Sequence, residues 1–147
     1  MSKIDDAVNW AIEIANDDSH GYDQTNRWGP DYDCSSFVIS AWEAAGVGVK
    51  ANGANSTSNM CDAFLKSGFV DVTAQIDIKT GSGLEKGDVL WVKGHTCLYV
   101  GDGQVANASQ NENGSATGGE SGDQNGKEIA VKAYYNKSWT KVLRYTS

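Results

Sequence analysis

Proline, histidine and basic side chains are all in short supply in this chain, and each shortage excludes something. There is one proline, Pro30, and it falls in a polar, turn-rich stretch over 17–33 that reads as a loop. There are two histidines, His20 and His95, and no Cys-x-x-Cys pair, which argues against a structural zinc site; no metal or other cofactor is expected. The three cysteines, Cys34, Cys61 and Cys97, are odd in number and irregular in spacing, so they do not form a disulfide framework. Lys and Arg total 12 against 19 Asp and Glu, a net charge of −7. No basic stripe is available to neutralise phosphates, so no nucleic-acid partner is expected, and no anionic membrane surface either. No apolar run approaches the ~20 residues of a membrane span. Residues 1–15 carry Asp5, Asp6 and Glu13 and lack the apolar stretch of a secretory signal; the chain is expected to be made in a cytoplasm, with any export by another route.

What is present fits one globular domain over 1–147. An apolar fraction of 39% with 21% charged residues is that of a folded protein. A chain of this length buries roughly 70% of its unfolded surface without needing staples. Ile4, Val8, Ala11, Ile12 and Ala15 recur at helical spacing and predict a helix over 3–16. Phe37, Val38, Ala41, Trp42 and Ala45 predict a second helix over 34–45, opened by Asp33 or Cys34 and closed by Gly46. A third helix is predicted over 58–67, with Gly68 behind it. After Gly68 the period changes to that of strands: 69–73, 88–92, 95–100, 104–108, 128–134 and 141–145. Tight turns at Lys93-Gly94 and Gly101-Asp102-Gly103 leave no room for crossovers, so the strands pair mostly antiparallel. Helices first and strands second is the α+β arrangement, with N-terminal helices on an antiparallel sheet of five to six strands. Between Ser109 and Lys127 only Ala116 is apolar; this stretch is either a disordered surface excursion or a mobile lip over a groove.

Chemistry concentrates at three places. Cys34 opens a helix, where unsatisfied N–H groups and the positive end of the helix dipole favour a thiolate and could hold an oxyanion. His95 begins a strand just after a turn, at the sheet rim where a general base is useful, with Cys97 and Tyr99 on the same face. Asn107 lies across the Gly101–Gly103 hairpin from His95, where its carbonyl could orient the imidazole. Each has a plain alternative: a chance cysteine at a helix start, a rim histidine, an edge polar residue. His20 reads as a solvated loop residue and Cys61 as a filler of the helical core.

Asp33-Cys34-Ser35-Ser36 opening a helix, then Gly87-Asp88-Val89, Gly94-His95 and the Tyr99–Gly103 hairpin, resemble the NlpC superfamily of papain-like cell-wall cysteine peptidases. The similarity runs from about Trp10 to Tyr145. Together with 122–127, 134–136 and 139–144, it resembles the catalytic domains of phage endolysins, which act on the cell wall. The resemblance implies a peptidoglycan hydrolase cutting an amide bond, as an endopeptidase or an amidase. It implies Cys34 as nucleophile, His95 as base and Asn107 as orienting residue, in the position where many members carry His. Tyr22 falls near a tyrosine that lines the site in this family, or packs in its loop. Asp33 and Ser35 at the helix start are candidates for substrate contact, although capping is the safer reading of Asp33. Trp28 is a candidate groove wall, and Trp91 reads as core. Cys97 departs from the family, which usually has a small residue there, and is expected to be reduced and packed against the Cys34 helix. A monomer is expected, either joined in nature to a C-terminal wall-binding domain or only modestly active alone, because a charge of −7 is repelled from a polyanionic wall. The competing functions are a protein-glutamine deamidase or acyl-transfer enzyme with the same three residues, and a non-catalytic wall-binding module.

Overall fold

The computed structural model describes residues 3–16, 32–93, 95–108 and 129–146. The elements run α1 (Lys3–Ala15), α2 (Cys34–Ala44), α3 (Met60–Lys66), β1 (Phe69–Asp71), a 3₁₀ turn (Thr73–Gln75), β2 (Val89–Val92), β3 (His95–Gly101), β4 (Gln104–Ala108), β5 (Ile129–Ala133) and β6 (Lys141–Tyr145). The six strands form one antiparallel sheet in the order β1-β6-β2-β3-β4-β5. This is the expected α+β architecture.

Local chemistry explains where the elements stop. Helix α3 starts at Met60, two residues later than its pattern suggests, because the Asn59 side chain already accepts from the N–H groups of Asn55 and Ser56 in the preceding turn. Strand β1 ends at Asp71, whose carboxylate accepts from the Thr73 N–H at 2.9 Å and turns the chain into the 3₁₀ segment. Strand β2 starts one residue late because Asp88 is taken up in a turn, accepting from the Glu85 N–H at 2.8 Å. At the β3–β4 hairpin, Asp102 and Gly103 adopt φ of +54° and +74°, the left-handed backbone that Asp and Gly tolerate best.

Both faces of the sheet are buried. Val89, Leu98, Val100, Ala106, Ala108, Ile129 and Leu143 face the helices and pack with Val8, Phe37, Ile39, Trp42 and Phe64. Leu90, Cys97, Tyr99, Val105 and Val142 point the other way and are covered by Val72, Ile76 and Trp139 from irregular segments. Helix α2 is apolar almost all round, with Phe37, Val38, Ile39, Ala41 and Trp42 fully buried, because it lies between α1 and strands β3 and β4. That central seat fixes its N-terminus against the start of β3. Among the described residues no helix is long and apolar enough to cross a membrane. The 109–127 segment, Pro30, His20 and Gly94 lie outside the described residues.

Candidate active site

The N-terminus of α2 is built by a reciprocal capping pair. Asp33 Oδ1 accepts from the Ser36 N–H at 2.7 Å, and Ser36 Oγ accepts from the Asp33 N–H at 2.9 Å. Ser35 Oγ adds a third bond, donating to the same Asp33 oxygen at 3.0 Å. All three side chains are buried. Asp33 and Ser35 therefore have an architectural task at the position where the sequence suggested substrate contact. Their network sets the first helical residue, Cys34, against the sheet.

The Cys34 thiol is 6% exposed and meets the backbone N–H groups of Thr96, Ser35 and Cys34 itself. The sequence suggested a thiol pulled down toward the thiolate form. The structure corrects this: burial, helped by the negative charge of Asp33, pushes the thiol up to about 11, and the three N–H groups offset only part of that. At neutral pH the resting group is a neutral S–H.

Thr96 is the chain neighbour of His95, so the same contact brings the thiol to the start of β3. The His95 ring is half-buried, and Trp139 stacks against it at 5.9 Å between ring centroids. Burial lowers its pKa from the usual 6.5; the hydrogen bond that Nε2–H donates to Asn107 opposes this, and Lys137 and Lys132 lower it further. The imidazole is thus neutral at pH 7. Strand β4 pairs Ala106 with Leu98, which carries Asn107 alongside the start of β3. There Asn107, 3% exposed, holds its Oδ1 2.9 Å from His95 Nε2. An amide oxygen only accepts, so Nε2 bears the ring proton and Nδ1 keeps a free lone pair.

Two further aromatic residues complete the cluster. The Tyr135 hydroxyl donates to Asn107 Oδ1 at 2.8 Å and lies 3.0 Å from His95 Nε2. The Trp139 indole N–H donates to the Tyr135 carbonyl at 3.1 Å, which fixes the loop that carries both. Sequence reasoning did not single out either as a site residue. They stand 40 and 44 positions after His95 in an irregular stretch beyond β5, where no periodicity tells which way a ring turns.

Cys97 is free and fully buried, and lies near enough to Cys34 at the start of α2 to feel its charge, but its apolar packing is not with the α2 core. Strand alternation turns it away from the α2 core into the second cluster with Leu90, Tyr99, Val105 and Trp139, where it also meets the Tyr135 hydroxyl. Burial drives its thiol far up, which makes it an inert filler under the His95–Asn107 pair. Cys61 packs in the helical core, and Trp91 packs against that core with its indole N–H on the Thr57 carbonyl at 2.8 Å. Tyr22 and Trp28 lie outside the described residues. Among the described residues no group of three or more His, Cys, Asp or Glu could hold a metal ion.

The family model for the endolysin-like domain matches residues 29–106 and 105–147, a span that takes in Cys34, His95, Asn107, Tyr135 and Trp139. The chain belongs to the endolysin-like domain family. The fold of this endolysin-like domain is also that of the peptidoglycan hydrolase RipB from Mycobacterium tuberculosis, at a TM-score of 0.54 and 19% identity, over 98% of this chain and 67% of that one. No curated protein matches it.

Proposed function

We propose that this endolysin-like domain is a cysteine peptidoglycan hydrolase that cleaves an amide bond of the wall's stem peptide. The observation that carries the reading is the 2.9 Å contact between His95 Nε2 and Asn107 Oδ1, which leaves Nδ1 unprotonated on the residue next to Thr96, whose backbone N–H meets the Cys34 thiol. Membership of an endolysin-like family and the fold shared with a peptidoglycan hydrolase support the substrate class.

The chemistry follows from a neutral thiol beside a neutral imidazole. Nδ1 of His95 takes the Cys34 proton as sulfur attacks the amide carbon. The N–H groups at the start of α2 stabilise the oxygen that becomes negative. The imidazolium, held by Asn107 on its far side, returns the proton to the leaving nitrogen, and a thioester forms with release of an amine. Water, deprotonated by His95, then opens the thioester to a carboxylate and restores the thiol. The bond is either the link between muramic acid and L-alanine or one inside the stem peptide; both are amides open to the same steps. Mass spectrometry of fragments from purified peptidoglycan decides. A lactyl carboxyl with a free L-alanine amine marks an amidase, and a new amine within the peptide marks an endopeptidase. Loss of all release in Cys34→Ala, with its circular dichroism unchanged, is the expected control; release at the normal rate would overturn the mechanism. The domain is expected to act as a monomer on the wall, delivered there by a wall-binding module.

A further inference from the structure

The His95–Asn107 pair has a third member, the Tyr135 hydroxyl. His95 Nε2 has two acceptors within reach, Asn107 Oδ1 at 2.9 Å and the Tyr135 hydroxyl oxygen at 3.0 Å. The Tyr135 proton is already committed to Asn107 Oδ1 at 2.8 Å. With the proton placed there, its oxygen lone pairs face the imidazole and both oxygens favour a proton on Nε2; when Asn107 is absent the proton has another acceptor in the Cys97 sulfur, which the hydroxyl also meets, so that the oxygen still takes Nε2–H. The tyrosine is held from three sides. Lys132 Nζ lies 4.5 Å from its ring centroid, Trp139 packs on it at 5.7 Å, and the Trp139 indole fixes its carbonyl. Burial keeps the phenol protonated.

We propose that Tyr135 is a positioning residue for His95, a second acceptor that holds the Nε2–H tautomer and the ring orientation when Asn107 is lost or displaced. This rests on the reading of His95 as the base. The assignment gives a distinct expectation. If Asn107 alone orients the ring, removing it releases the tautomer, and removing the Tyr135 hydroxyl changes little in either background. If the two act together, each single loss is mild and the joint loss is severe.

The test is a double-mutant cycle of Asn107→Leu and Tyr135→Phe with two readouts. Leucine fills the space of asparagine and accepts no hydrogen bond; Asn107→Ala serves in its place if the leucine variant fails to fold by near-ultraviolet circular dichroism. The first readout is the 15N–1H two-bond correlation pattern of His95 at pH 8, recorded with His20→Gln in the background so that one imidazole is observed. Nε2–H is expected in the parent and in both single variants, and a mixture of the two tautomers in the double variant. The second readout is kcat/KM on purified peptidoglycan. Each single change is expected to cost about 3- to 10-fold, the range of one hydrogen bond, and the double change several hundredfold, well beyond the product. A tautomer mixture already complete in Asn107→Leu, or a double variant no worse than the product of the singles, would overturn the proposal. Failure of the parent to cleave peptidoglycan would count against the functional reading instead, and the tautomer readout would still decide the role of Tyr135.

Discussion

At the scale of the residue, the site holds a neutral thiol and a neutral imidazole, and both states come mainly from burial. Burial pushes Cys34 up to about 11 and His95 down from 6.5. The consequence for catalysis is an acid limb set by His95 below pH 6.5 and no alkaline limb until Cys34 ionises, well above pH 9. A pH profile of kcat/KM checks this; an acid limb above pH 7 would contradict it. The consequence for stability has a definite sign. The unfolded chain binds a proton at His95 more readily than the native one, so stability from this group is present above pH 6.5 and is lost as pH falls below it. Thermal unfolding of His95→Gln is expected to depend less steeply on pH below 6.5 than the parent. The places of Cys34 at a helix start, His95 at a strand start and Asn107 across a hairpin were legible because all three are local signals, while their proposed roles came from the family resemblance. The raised thiol was not, since the local dipole argument says nothing of the burial imposed by distant β3. Tyr135 and Trp139 were illegible for a related reason: only the tertiary return of an irregular segment brings them to His95.

At the scale of the element, the α2 cap and one buried ion pair hold the site's frame. Asp33→Ala removes an acceptor from the Ser36 N–H and leaves Ser35 without its partner carboxylate, and is expected to cost about 1 kcal/mol of stability in urea unfolding. Beyond the site, Asp88 is 0% exposed and accepts from Arg144 Nε at 2.9 Å and Nη2 at 2.8 Å, tying the start of β2 to β6. Arg144→Met leaves that carboxylate buried without its cation and is expected to cost about 3 kcal/mol, much more than Lys86→Met at the exposed pair with Asp5. Helix and strand identities were legible throughout from the switch in period after Gly68. The offsets at α3, β1 and β2 arise from side-chain acceptors, Asn59, Asp71 and Asp88, that capture nearby N–H groups before the regular pattern can. The sequence pattern also says helices cover one sheet face; it does not say that 72–76 and Trp139 cover the other, because irregular segments carry no period.

At the scale of the whole molecule, an acidic domain is asked to work on a wall that the proposed function makes polyanionic. With a net charge of −7, long-range repulsion opposes encounter. Lysis by the isolated domain is expected to rise as salt is first added from low ionic strength, and a steady fall would remove repulsion as the limiting influence. Amide hydrolysis by Cys34 is tested by the new amino groups released from purified peptidoglycan by the parent and by Cys34→Ala. Amines, and no new reducing sugar, are expected from the parent, and neither from Cys34→Ala. Equal release by the two proteins, or reducing sugar in place of amine, would contradict it.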